Sequence, residues 1–353
     1  MTQGDANGVV VTRNVWKIFG ERADEAIGAV RRDNLSKAEG LERFQAVVGV
    51  KDVSISVGEG EIFCIMGLSG SGKSTLVRHV NRLIEPTSGE ILINGVNVGD
   101  LDAEELRAMR ADKIGMVFQS MALLPHRTVR DNVAFSLELR NVDPFTRANV
   151  ADRVIGLVSL QGYGDRMPDE LSGGMQQRVG LARALAADPD ILLMGEPFSA
   201  LDPLIRRGLQ DEFLELSKTM KKTTLFITHD LDEAIRMGTR IAIMKDGEIV
   251  QTGTPEDIVT NPADEYVADF VAGISKLKLI YAHTVMQPIE RYERDGTRLP
   301  PLHECPQATP DDDLDALVGL AVNQRNPVVI MSDGTPVGVV TKDALLRGIQ
   351  GEV

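Results

Sequence analysis

One run, Gly67-Leu68-Ser69-Gly70-Ser71-Gly72-Lys73-Ser74-Thr75, constrains this chain more than any other. It fits the phosphate-loop pattern G-x-x-x-x-G-K-[ST], and its flanks supply the context that pattern needs. Ile62-Phe63-Cys64-Ile65-Met66 is apolar throughout, like a buried strand, and Leu76-Val77-Arg78-His79-Val80 reads as the start of a helix. Glycines let the backbone curl so that successive N–H groups converge on phosphate oxygens. The helix N-terminus adds partial positive charge. Lys73 is placed to reach the β- and γ-phosphates of a nucleotide, and the Ser74 hydroxyl to sit on Mg²⁺.

The rest of the chain supplies a core for such a loop. Residues 9–19 read as an opening strand, and the charged, alanine-rich stretch 21–46 as a helical insertion before the next strand at 50–57. Residues 90–93 form a strand ending in the hairpin signal Asn94-Gly95. Short strands follow at 114–118, 191–194 and 223–228, with a mostly helical region at 129–185 broken at Asp143-Pro144 and Met167-Pro168. Residues 240–244 and 248–251, split by Asp246-Gly247, read as a closing hairpin. Strands alternating with helices predict an α/β core, and the antiparallel pieces predict a β-subdomain beside it. Composition shifts after about residue 275. The segment 293–313 reads as a loop, 312–321 as a helix, 327–341 as a hairpin, and Lys342 as the start of a final helix.

Bulk properties exclude several classes. The net charge of −14 argues against a nucleic-acid binder, which would carry a basic face, and against direct adhesion to an anionic membrane. There is no run of apolar residues long enough to span a bilayer. Met1-Thr2-Gln3-Gly4-Asp5 does not open a signal peptide. Two cysteines, Cys64 and Cys305, give no disulfide framework and suit a reducing compartment. His79, His126, His283 and His303 lack metal-ligand spacing.

Leu171-Ser172-Gly173-Gly174-Met175-Gln176-Gln177 narrows the choice among proteins that use a phosphate loop. A serine and two glycines open the helix that runs to Ala187, an arrangement suited to an anion. Here the chain resembles the ATPase subunits of ABC transporters, whose signature is LSGGQ; Met175 stands where the common form has glutamine, a variation usual among amine importers of the family. The resemblance implies that the signature of one subunit caps ATP held by the phosphate loop of another. Head-to-tail pairing then gives a homodimer with two shared sites.

Further residues match one position at a time. Phe118-Gln119-Ser120 is similar to the Q-loop, which implies that Gln119 touches Mg²⁺ and the attacking water and senses a transmembrane partner. Thr228-His229-Asp230 resembles the switch-histidine motif, with His229 on the γ-phosphate. Ser199-Ala200-Leu201-Asp202 resembles the D-loop, which links the two sites and puts Asp202 among the nucleotide-site residues. Phe19 matches the aromatic that stacks on adenine, with Trp16 as the competing ring. Glu196 follows the apolar strand and is placed to polarise water as general base.

One position departs from the family. The strand should end Asp-Glu-Pro, and this chain has Gly195-Glu196-Pro197. The aspartate holds Mg²⁺ through water, and glycine offers no side-chain oxygen; loss of such a partner typically costs about 10–100-fold in metal affinity or activity. Two readings stand. The favoured one is an active enzyme with a weakened metal site, since Glu196 and His229 are intact. The other is a subunit that binds ATP and dimerises but hydrolyses poorly, acting as a nucleotide-gated scaffold. A soluble ABC ATPase acting on ribosomes or DNA would usually carry two cassettes, and this chain has one.

The resemblance covers residues 9 to about 275. The insertion at 21–46 and the stretches 66–70, 122–129 and 198–206 look like importers of glycine betaine, proline and choline. This implies an ATPase at the cytoplasmic face of the inner membrane, held there by permease subunits and served through them by a periplasmic or extracellular solute-binding protein. Residues 276–353 are similar to a CBS-type regulatory module, opening at 285–289 and matching again at 327–330 and 338–343. It is a single, interrupted copy. Two copies are expected to pair across the dimer, tuned by ionic strength or an adenine-containing ligand, or serving as a dimerisation appendix without one. The expected architecture is an ABC ATPase domain at 1–275, with an α/β P-loop core, an antiparallel β-subdomain and a helical signature subdomain, followed by a small α+β domain at 276–353.

Overall fold

A continuous apolar strand must be covered on both faces, and the chain builds its first unit around such strands. The structure is a computed structural model that describes residues 8–33, 37–118, 122–199, 201–272, 276–294, 298–322, 324–332 and 334–350. Its contacts divide the chain into two compact units, Met1–Thr252 and Gly253–Val353.

In the first unit, β1 (Val10–Phe19), α1 (Ala23–Asp33), α2 (Lys37–Phe44) and β2 (Val47–Val57) lead into β3 (Ile62–Met66) and α3 (Lys73–Val80). Then come β4 (Ser88–Ile93), β5 (Val96–Asn97), α4 (Ala103–Lys113), β6 (Ile114–Val117), α5 (Val129–Leu139), α6 (Pro144–Leu157) and α7 (Gly173–Ala186). The unit closes with β7 (Ile191–Gly195), α8 (Pro203–Met220), β8 (Thr223–Thr228), α9 (Leu231–Met237), β9 (Arg240–Lys245) and β10 (Glu248–Gly253). One sheet has the order β10-β9-β3-β8-β7-β6, with β3 parallel to both β8 and β9, and β7 parallel to both β8 and β6. Every residue of β3 and β8 is buried, as a parallel sheet covered on both faces requires. The second sheet, β2-β1-β4-β5, is antiparallel. The two share one core, with Val10, Val50 and Ile91 of the antiparallel sheet in one cluster with Phe63, Leu193 and Leu225 of the parallel one.

The insertion is helical, as its composition predicts. Ala26 and Val30 of α1 pack on Trp16, Ile18 and Val48 of the antiparallel sheet. The Asp143-Pro144 pair starts a helix rather than merely breaking one. Asp143 caps α6 by accepting from the Thr146 amide at 3.0 Å, and Pro144 takes the first position, where no N–H is needed.

The second unit contains α10 (Pro255–Thr260), α11 (Glu265–Val271), α12 (Ala282–Val285), α13 (Ile289–Arg294), β11 (Gln307–Ala308), α14 (Leu314–Ala321), β12 (Val328–Ser332), β13 (Thr335–Val340) and α15 (Lys342–Gln350). Its sheet order is β11-β12-β13, with β11 parallel and β13 antiparallel to β12. The segment expected as a loop thus contains a strand, too short to carry an alternating pattern. Contacts place α10 and α11 in this unit, so the division falls ahead of the boundary expected at 275. The Glu256 carboxylate of α10 accepts a hydrogen bond from the Thr284 hydroxyl of α12 and lies 3.5 Å from His283 Nε2. Among the described residues no helix is long and apolar enough to cross a membrane.

Candidate active site

The site lies where β3, β7 and β8, three neighbours of the parallel sheet, release their chains. After β3 the loop curls through Gly67 and Gly72, whose φ angles are +152° and +107°. A Cβ on Gly67 would sit 2.1 Å from the Met244 carbonyl oxygen, and one on Gly72 2.3 Å from that of Gly49. Both positions demand glycine for conformation and for space. No side chain caps the start of α3, so its first N–H groups stand open to an anion. Gly247 N donates to the Ser71 carbonyl at 2.9 Å, tying the loop to the β9–β10 turn.

Lys73 lies folded into this cradle, 5% exposed. Its Nζ donates to the carbonyls of Gly67 at 2.8 Å and Leu68 at 3.0 Å. Burial lowers its pKa, and the Glu196 carboxylate works against that shift. An ammonium whose hydrogen bonds run to backbone carbonyls can exchange those carbonyls for phosphate oxygens. Ser69, Gly70 and Ser74 are exposed on the rim, as is Leu68.

Glu196 and His229 lie side by side. Glu196 follows β7 in the left-handed region, φ +48°, and its amide donates to the Ile227 carbonyl at 3.1 Å. Its carboxylate is 17% exposed, and Oε2 lies 3.3 Å from His229 Nδ1 on an imidazole that is 58% exposed. Ser199 Oγ donates to the Glu196 carbonyl at 3.1 Å, closing the turn that follows β7. Asp202 is exposed at the start of α8 and makes no cap bond there. Gln119 and Ala200 lie outside the described residues.

The two candidate aromatics separate. Trp16 is 5% exposed, packed with the insertion and covered by the Arg31 guanidinium at 5.1 Å from its ring. Its burial closes it to a base. Phe19 is 39% exposed, with its ring against Gly49.

The signature sits at the start of α7. Ser172 Oγ accepts from the Met175 amide at 3.4 Å, and Ser172 and Gly173 are exposed. Gln176 turns inward, donating to the carbonyls of Pro168 at 2.9 Å and Leu171 at 3.2 Å.

Behind His229 lies a polar brace that joins Thr228 and Asp230 of its motif to Gln210 and Glu233, which no motif singles out. Buried Thr228 donates through Oγ1 to the Glu233 carboxylate and accepts from the Asp230 amide at 3.0 Å. Gln210 of α8 donates to Glu233 Oε1 at 2.9 Å. Burial raises the Glu233 pKa, and the hydrogen bonds from Thr228 and Gln210 offset part of that. The only hint in the sequence is Glu233 in the first turn of α9, where an acidic residue suits a helix start.

Comparison with known proteins gives a consistent picture. Residues 50–199 match the ABC transporter family. The chain is 52% identical over 292 residues to the glycine betaine/carnitine transport ATP-binding protein GbuA of Listeria monocytogenes, covering 82% of this chain and 73% of that protein. It is 55% identical over 262 residues to the glycine betaine/proline betaine transport system ATP-binding protein ProV of Escherichia coli, covering 74% of this chain and 65% of that one. Among solved structures, the dimeric post-hydrolysis state of the ATP-binding cassette MJ0796 bound to ADP and Pi aligns with a TM-score of 0.59. It is 33% identical and covers 70% of this chain and 98% of that one.

Proposed function

Because the chain belongs to the ATP-binding subunits of ABC transporters, in the family that imports glycine betaine, proline and choline, we propose that it powers uptake of a quaternary-amine solute as a nucleotide-sandwiching homodimer docked on permease subunits at the cytoplasmic face of the membrane. The reaction is hydrolysis of ATP to ADP and phosphate. The observation that carries the reading is the Glu196–His229 pair, 3.3 Å apart beside the cradle that holds Lys73.

Lys73 leaves the Gly67 and Leu68 carbonyls for the β- and γ-phosphates, and the open amides of α3 take further phosphate oxygens. Phe19 stacks on the adenine. Glu196 accepts a proton from the attacking water, and His229 orients that water against the γ-phosphoryl group. Ser172, Gly173, Gly174 and Met175 of a second copy close over the same nucleotide, with Asp202 at the seam. Mg²⁺ suits the exposed Ser74 hydroxyl, which would hold it with phosphate oxygens and water completing its shell, and Gln119 is the second donor that the family resemblance implies. Bound there, it neutralises charge on the phosphates. The second unit serves as the regulatory or pairing module, with the Glu256–Thr284 and Glu256–His283 contacts making α10 part of it.

Reconstitution tests this directly. The subunit with its co-expressed permease should take up glycine betaine into proteoliposomes when ATP is present on the subunit's side, and Lys73→Ala should abolish uptake. Uptake that persists in Lys73→Ala would contradict the proposal. Gly195 is the one feature behind the second reading, a scaffold with slow turnover. A Gly195→Asp variant should hydrolyse ATP about 10–100-fold faster if the metal site is weakened there. Equal rates would remove Gly195 as a concern.

A further inference from the structure

Two polar side chains on one face of α8, Arg206 and Gln210, reach across to the turn that carries His229. Gln210 belongs to the buried brace already described. Arg206 does something different. Its Nη1 donates to Asp230 Oδ2 at 3.1 Å, and its Nη2 donates to the Leu201 carbonyl at 3.2 Å. Leu201 directly precedes Asp202, and Asp230 directly follows His229. One guanidinium therefore spans the segment expected to face a second copy and the segment that holds the histidine.

The surroundings make the link specific. The Asp230 carboxylate also accepts from the Glu233 amide at 3.2 Å, capping α9, so a shift of Asp230 moves the start of that helix with it. The Asp230 amide is held by Thr228 Oγ1, so the residues on either side of His229 are each anchored. Arg206 Nε is buried with no hydrogen-bond partner among the described residues. The planar fork is thus aimed by its two terminal nitrogens, a geometry that a lysine ammonium cannot reproduce.

We propose that Arg206 is a positioning residue for hydrolysis: it locks the turn bearing His229 to Leu201, the residue before Asp202, so that seating of a second subunit against Asp202 sets where the imidazole stands over the γ-phosphate. The proposal rests on the reading of Glu196 and His229 given above. It assigns Arg206 no contact with nucleotide, so binding of ATP should not depend on it.

The test is steady-state hydrolysis by the full chain carrying Arg206→Met or Arg206→Lys, with each also made in the Gly195→Asp background so that turnover is measurable in either case. Arg206→Met keeps the apolar stem and removes both bonds. It should lower kcat about 10–100-fold, as misplacement of a reacting group does, with KM for ATP within about twofold. Arg206→Lys, able to keep one bond, should fall between. Amide exchange at Asp230 and Glu233 should quicken in Arg206→Met while the amides of α3 stay as they were. An unchanged kcat would overturn the proposal. So would a parallel loss of kcat, ATP binding and melting temperature, which would mark a purely structural residue. Glu196→Gln and His229→Ala separate the two claims. If neither slows hydrolysis, the reading of the site is wrong; if both do and Arg206→Met does not, only the role of Arg206 falls.

Discussion

Two glycine-rich turns open two helices, α3 and α7, and they are built in opposite ways. At α3 the turn is finished within one chain. Gly67 and Gly72 are pinned by backbone carbonyls of β9 and β2, Lys73 is folded inside, and no side chain caps the helix. At α7 the turn faces outward. Ser172 satisfies its own helix start, and a Cβ on Gly173 would meet nothing within 4 Å, whereas one on Gly174 would lie 2.8 Å from the Ile205 Cγ2 methyl. The first turn needs its glycines to exist. The second has no internal use for Gly173, which fits a surface that something else covers.

That contrast can be broken by mutation. The largest effect is expected at Lys73, the cation folded inside the cradle: Lys73→Ala should cut the rate of phosphate release by at least about 100-fold, as removal of a key charge-stabilising donor does. Gly72→Ala forces a Cβ against the Gly49 carbonyl at a positive φ and should cost about 1–3 kcal/mol in a denaturant titration, with loss of nucleotide binding. Gly173→Asp should leave unfolding within about 0.5 kcal/mol, because it meets open space, and leave binding of ATP to the single subunit intact. It should nevertheless slow hydrolysis, since it sets a carboxylate against the partner's phosphates. If Gly173→Asp instead unfolds the chain, or leaves hydrolysis untouched, the two turns are not different in kind.

The smallest effect concerns the buried carboxylate behind the site. Glu233 has its pKa raised by burial. A raised acid is favoured in the folded state when protonated, so its contribution is fully present below the ordinary glutamate value near 4.3 and is lost as pH rises through the folded value. Glu233→Gln stays neutral throughout. The melting temperature of Glu233→Gln relative to the starting chain should therefore rise as pH is raised from 4 to 8. A difference that is flat with pH would show that Thr228 and Gln210 fully offset the burial.

Much of the site is legible in the sequence because its chemistry is local. The phosphate loop, the serine-glycine start of α7 and the glutamate after β7 each sit at the end of an element whose apolar pattern can be read. The choice between Phe19 and Trp16 is different. Both are aromatic and both lie on β1, and only the packing of α1, with Arg31 over the indole, shows that Trp16 is closed. The roles of Arg206 and Glu233 are not legible either, because Asp230 and Gln210, their partners, lie on other elements and only the fold brings them together. The strand β11 is missed for a simpler reason: two residues carry no period.

Pairing around nucleotide is the claim on which the rest depends. Light scattering on Glu196→Gln, which keeps the side-chain shape while removing the base, measures it most directly. With saturating ATP and Mg²⁺ the mass should double relative to the nucleotide-free chain, and Gly173→Asp in the same background should stay at the mass of one chain. A Glu196→Gln subunit that binds ATP yet remains a single chain, alone and with its permease, would contradict the account.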